Sequence, residues 1–234
     1  MSFAAALAFG FLLGLRHSTD ADHVVAVTAV ASREKNARGA LRVGALWGLG
    51  HSATLLLAGG ILILFGLVIP PKLAQGFELV VAAMLVVLGM ANCRSHRHES
   101  VAGHSPTEGA NEASTQAPRS RPALWRPVLI GVVHGLAGTG ALTLLVLTTI
   151  PRAELALLYL TVFGLGTVLG MLCLSGALAV PLSLAVRRAA AFEPLLVRFT
   201  GLASVAFGLF LAYRIGFVDG FFFPTVLVPA LPTG

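Results

Sequence analysis

Six apolar runs near or above twenty residues, at about 2–31, 41–68, 74–93, 125–150, 154–186 and 193–215, leave this chain few ways to fold. Each is long enough to cross a bilayer as a helix. Of 234 residues, 56% are hydrophobic and 11% charged, more apolar side chain than one soluble core of this size can enclose. The expected fold is an all-α membrane protein with six transmembrane helices. The tail 217–234 is apolar too, but Pro224, Pro229 and Pro232 cut it into pieces too short to span, which suits the membrane interface. The N-terminal MSFAAALAFGFLLGL has the apolar core of a signal peptide; it lacks a basic leader and runs directly into a charged motif, so it is expected to be an uncleaved first span.

The calculated isoelectric point near 10.4 does not point to nucleic acid, because the basic residues are sorted by position. Arg33, Lys35, Arg38 and Arg42 follow the first span. Arg94, Arg97, Arg119, Arg121 and Arg126 lie between or flank the third and fourth, and Arg187, Arg188 and Arg198 flank the last connection. Alternate connections thus hold twelve of the sixteen Lys and Arg residues, which by the positive-inside rule makes them cytoplasmic and puts both termini outside. Lys72, Arg152 and Arg214 fall on the other side.

The segment 94–124 is the one long polar stretch, rich in Ser, Thr, Glu, Pro and His, and reads as a cytoplasmic linker between two halves, 1–93 and 125–216. The halves echo each other: GLRH ending at His17 matches GVVH ending at His134, and WGLGH ending at His51 matches FGLGT ending at Thr167. The separations are 34 and 33 residues. Three spans per half is an odd number, so a second copy enters the membrane upside down. The expectation is two inverted three-helix repeats, the plan of many secondary transporters, with a substrate site between them. Small-residue pairs at Gly10/Gly14, Gly44/Gly48, Gly131/Gly135 and Gly166/Gly170 suit close helix approach, although each pair alone signals ordinary packing.

The first span carries GLRHSTDADHVV, residues 14–25, with five ionisable groups. Each Arg or Asp at the centre of a membrane helix costs about 2.5–3.5 kcal/mol on an insertion scale, so Arg16, Asp20 and Asp22 need partners or a task. A structural ion pair between Arg16 and one aspartate leaves a carboxylate and two imidazoles unexplained. Carboxylate oxygen and imidazole nitrogen together suit a divalent cation such as nickel, cobalt or zinc, while the lack of nearby Cys or Met argues against copper(I). On a regular helix His17, Asp20 and His23 share one face, at steps of about 60°, and Asp22 points away. All four can bind one ion only if the helix is irregular here. His51, followed by Ser52 and Thr54, is the next candidate, since Gly48 and Gly50 allow its backbone close to the first span. His134, alone in its span, is read as a packing residue, and His96, His98 and His104 as solvated linker residues.

RHSTDADHV at 16–24 resembles the signature of the nickel/cobalt transporter family, Arg-His-Ala-x-Asp-Ala-Asp-His-Ile, whose core is His, four residues, Asp, His. LGHSAT at 49–54 resembles that family's second signature, Gly-His-Ser-Thr. The resemblance implies a membrane permease for Ni²⁺ or Co²⁺, with His17, Asp22, His23 and His51 in the metal path. FGLG at 163–166 continues as TVLGM, without the acidic Asp-Thr-Ala-Thr-Glu element of the larger permeases, and VHGLAGTGAL occupies 133–142. Both features look more like the compact branch of urease-accessory-type membrane proteins, related to the lysine-exporter superfamily.

The combined expectation is a multi-pass secondary transporter of the cell (inner) membrane, not an enzyme. Its metal set is His17, Asp20, Asp22, His23 and His51, supported by Arg16, Ser52 and His134. The ion is cargo, no prosthetic group is expected, and no residue is assigned a catalytic role. Expected partners are membrane lipid and the divalent ion, with room for a homo-oligomer or a cytoplasmic metallochaperone. A membrane-embedded metal-dependent enzyme is the rival, disfavoured by the lack of HExxH and by only four histidines in the spans. Cys93 and Cys173 form no CxxC pair and are expected to be buried and structural. No Walker A sequence is present, so ATP-driven transport by this chain alone has no support.

Overall fold

The structure, a computed structural model, describes residues 3–34, 36–95, 124–150, 152–188 and 193–223. His96, His98 and His104, most of the linker and the tail beyond Phe223 lie outside them. The regular structure among the described residues is all helical: α1 (Phe3–His17), α2 (Ala21–Ala31), α3 (Ala37–Phe65), α4 (Pro71–Ser95), α5 (Trp125–Thr149), α6 (Ala153–Arg188) and α7 (Glu193–Tyr213), ending in a π-helical turn, Arg214–Val218. By length and composition, Ala37–Phe65, Pro71–Arg94, Ala153–Pro181 and Pro194–Val218 are apolar helices long enough to cross a membrane. Exposed Leu57, Leu64, Phe65, Phe199 and Leu202 give them the apolar exterior that lipid requires.

The first apolar run is two helices, not one. α1 has 15 residues, about 22 Å of helix against a hydrocarbon core of about 30 Å. At its end the bonds tighten to the three-residue spacing, with Thr19 N donating to Arg16 O at 2.9 Å and Asp20 N to His17 O at 3.1 Å. The hydroxyls of Ser18 and Thr19 donate to the Leu15 and Arg16 carbonyls, both at 2.6 Å, and so compete with the helical ladder. Asp20 is extended (φ −60°, ψ 147°), and α2 restarts when Val24 N donates to Asp20 O at 3.0 Å. Asp22 lies in the first turn of α2, where the helix dipole favours a negative charge.

Local chemistry sets the other ends. Asn36 caps α3 by accepting from Gly39 N at 2.7 Å. Gly66 closes α3 in the left-handed conformation (φ 62°), with Leu67 N donating to Leu62 O at 2.8 Å, and Pro71 opens α4. In the turn between α2 and α3, burial pushes the Glu34 carboxyl above its ordinary range.

α3 is the central helix, packed on α5 and α6; α1 lies along α6, and α4 pairs with α7. The core joins Ala26, Val27, Trp47, Leu85, Ile130 and Met171, with a second cluster around Leu55, Tyr159, Leu160 and Phe163. α3 and α6 run antiparallel: Ser52 Oγ donates to Gly164 O at 2.9 Å, while Gly48 and Gly44 face Val168 and Met171 further along. α1 runs parallel to α6, and α3 parallel to α5. A Cβ at Gly14 would strike the Phe163 carbonyl and Thr167 amide, and one at Gly131 the Trp47 carbonyl and His51 amide. Likewise Gly50 abuts Val128 O, and Gly166 abuts Phe11 O.

At the far end of α2, buried Asn92 donates to Ala29 O at 2.7 Å and accepts from Arg33 Nε, which ties α2 to α4. The expectation of buried cysteines is corrected. Cys173 is exposed on the outer face of α6, and Cys93 is only partly covered, on α4 beside Gly201 and Arg198 of α7; neither is in a disulfide.

Candidate metal site at the break in the first span

The interruption between α1 and α2 turns His17, Asp20, Asp22 and His23 toward different neighbours. His17 Nδ1 donates to Asp20 Oδ2 at 2.8 Å, so Asp20, half exposed, holds the ring from the outer side and leaves Nε2 pointing inward with its lone pair. That Nε2 lies 3.3 Å from Nε2 of His51, a fully buried residue of α3. His23, buried on the first turn of α2, donates Nδ1–H to the His17 carbonyl at 2.9 Å. The His17 carbonyl, which also accepts from Asp20 N where α1 ends, thereby sets the tautomer of a ring in α2. The ring centroids of the three histidines are 4.8–5.3 Å apart.

Asp22 faces another way. Its Oδ2 is 3.6 Å from Nε2 of His134, which projects from α5 and is buried to 1% of its side-chain exposure. His134 Nδ1 donates to Ile130 O at 3.3 Å, within its own helix. Two sets of three side chains thus bring one ligand atom each within 4.8 Å of the others: His17, His23 and His51, and Asp22, His23 and His134. Trp47 and Phe163 close the apolar wall, with ring centroids 5.2 Å from His134 and 5.5 Å from His17. Gly138 leaves the imidazoles room, since even an added Cβ would stand 3.7 Å from His17 Nε2.

His51 Nδ1 and His134 Nε2 are buried without a hydrogen-bond partner. A buried polar atom left in that state costs about 1–3 kcal/mol, and at His134 Nε2, beside the Asp22 carboxylate, a bound cation would relieve it. With two or three nitrogens and a carboxylate in reach, the donor set suits a borderline divalent ion.

Arg16 is exposed, and among the described residues the ion-pair contacts of Asp20 and Asp22 are to His17 and His134. Ser52 spends its hydroxyl hydrogen on Gly164 and serves as a tether between α3 and α6. In the sequence His134 has only a supporting place, as a packing residue beside the expected ligands. Its approach to Asp22 depends on packing between segments 112 positions apart in the chain, and the only signal was its place in the GLRH/GVVH echo.

No family model and no solved structure matches the chain. Among curated proteins it is similar to the urease accessory protein UreH of Bacillus sp. (strain TB-90), with 32% identity over 216 residues that cover 92% of this chain and 94% of the relative. Similarity at that level over nearly both full lengths establishes kinship, and it agrees with the motif resemblance. The chain belongs to the UreH family of urease accessory proteins, the compact branch of the nickel/cobalt transporters.

Proposed function

We propose that this protein is a membrane permease for Ni²⁺, with Co²⁺ as an alternative cargo, and that the ion is bound at the break in the first span. The observation that carries this is the convergence of His17, His23 and His51, two of them fully buried, around inward-facing nitrogens in an apolar wall. His17, His23 and His51 supply nitrogen ligands; Asp22 supplies charge, and Asp20 orients His17. The relative's name, a urease accessory protein, supports nickel as cargo and an accessory rather than an enzymatic role.

Two inverted three-helix repeats, 1–93 and 125–216 on either side of the linker 94–124, would build the path. Reciprocal packing supports this. Gly14 against Phe163 and Thr167 corresponds to Gly131 against Trp47 and His51, and Gly50 against Val128 to Gly166 against Phe11, when positions about 116 apart are exchanged. The antiparallel course of α3 and α6 has the same sense. In this arrangement both termini lie outside and the linker, with His96, His98 and His104, in the cytoplasm.

Uptake of radiolabelled nickel into proteoliposomes tests the proposal. The parent protein should move nickel, and correctly inserted His17→Ala and His23→Ala proteins should not. Uptake by both variants at the parental rate would refute the site.

A further inference from the structure

His23 belongs to both ligand triads, and its hydrogen bond limits what it can do. Nδ1 donates to the His17 carbonyl, which can only accept, so Nε2 alone has a lone pair to offer. One lone pair binds one cation. His134 is set up in the same way: Nδ1–H is committed to Ile130 O, and Nε2 is buried, unpartnered and 3.6 Å from Asp22 Oδ2. His17 and His134 flank His23 almost evenly, with ring centroids 4.8 and 4.9 Å away. They are also the two histidines that end the matching GLRH and GVVH segments.

We infer that Asp22, His23 and His134 form a second binding position for the same divalent cation, and that sharing His23 makes the two positions mutually exclusive. This rests on the permease proposal and adds a path within it. A cation held by His17, His23 and His51 transfers by keeping His23 and exchanging the other two nitrogens for the Asp22 carboxylate and His134 Nε2. His51 then returns to its contact with His17 Nε2, 3.3 Å away. The first position is formally neutral and the second carries one negative charge, so the ion moves from an all-nitrogen set to a mixed one without being released into the apolar interior. The first triad lies wholly in the first half of the chain and His134 alone comes from the second, so the handover carries the ion to the contact between the halves. Relative motion of the halves in alternating access would then favour one triad over the other.

The test uses the full chain in nanodiscs, with Co²⁺ as probe, and nickel uptake in proteoliposomes. Bound cobalt is counted by elemental analysis, and its visible absorption reports the ligands. The parent should bind one Co²⁺ per chain. His51→Ala and His134→Ala should each still bind one, with different visible spectra, because each retains the other triad. His134→Ala should lose nickel uptake at least tenfold despite retained binding, and the near-isosteric Asp22→Asn should do the same, which guards against a folding defect in the alanine variant. Two Co²⁺ per parent chain would overturn exclusive occupancy, and parental uptake by both His134→Ala and Asp22→Asn would overturn the second position. A parent that neither binds Co²⁺ nor moves nickel would instead remove the permease proposal itself.

Discussion

The segments ending at His17 and His134 occupy matching places in the packing but differ in backbone and chemistry. α1 stops after His17, whereas α5 runs unbroken through His134 to Thr149. Where the first half has Ser18, Thr19, Asp20, Asp22 and His23, the second has Gly135, Leu136, Ala137, Thr139 and Gly140. The glycines that let backbones touch are present on both sides: Gly14 faces Phe163 and Thr167, Gly131 faces Trp47 and His51. Close packing is therefore common to the two halves, while the helix break and all the candidate ligands but His134 occur together in one. Their coupling has a physical basis. Ser18 and Thr19 hydroxyls loosen the end of α1, and there the His17 carbonyl and the Asp20 carboxylate each hold a candidate ligand ring.

Several substitutions would break or sharpen that contrast. The largest effect is expected at His23, common to both triads. His23→Ala should reduce nickel uptake by more than the roughly 100-fold that bounds the loss of an orienting partner, measured in proteoliposomes at matched insertion; a variant within tenfold of the parent would detach the break from the chemistry. Asp20→Ala removes only the carboxylate that holds His17, so cobalt affinity should fall by about 10–100-fold, read by titration. The matching Ala137→Asp should restore none of it.

Acid should act through the first half as well. An imidazole must be neutral to bind, so protons compete with the metal and affinity falls as pH drops. Cobalt titrations carried toward acid should lose affinity once the rings take up protons, and binding unchanged at full acidification would argue against imidazole ligands.

Packing, by contrast, should respond equally in the two halves. Gly14→Val and Gly131→Val each force a side chain onto a neighbouring backbone, at a cost of about 1–3 kcal/mol, visible as a similar loss of thermal stability in detergent. If one is tolerated and the other is not, the scaffold is not shared. Arg16→Ala is expected to be the mildest change, within about 0.5 kcal/mol of parental stability and with uptake preserved, because the guanidinium is exposed and the ion-pair contacts of the two aspartates are to His17 and His134.

Apolar length made the membrane helices legible, since bilayer thickness leaves little freedom. The discontinuity in the first run was legible only as a condition, because His17, Asp20, Asp22 and His23 cannot share one face of a regular helix. Regular geometry placed Asp20 with the histidines and the family signature favoured Asp22. The broken backbone gives them separate neighbours, Asp20 on His17 and Asp22 on His134. His51 could be found because its GHS motif marks it locally. His134 was legible only as a supporting residue, because its surroundings in the chain are apolar and its neighbours Asp22 and Trp47 come from α2 and α3 through tertiary packing.

The most direct test of the central claim is anomalous diffraction at the nickel edge from crystals of the full chain equilibrated with Ni²⁺. A single peak within bonding distance of His23 Nε2, bounded by His17 and His51 or by Asp22 and His134, is the predicted result. Anomalous density confined to other residues, with none beside His23, would contradict it.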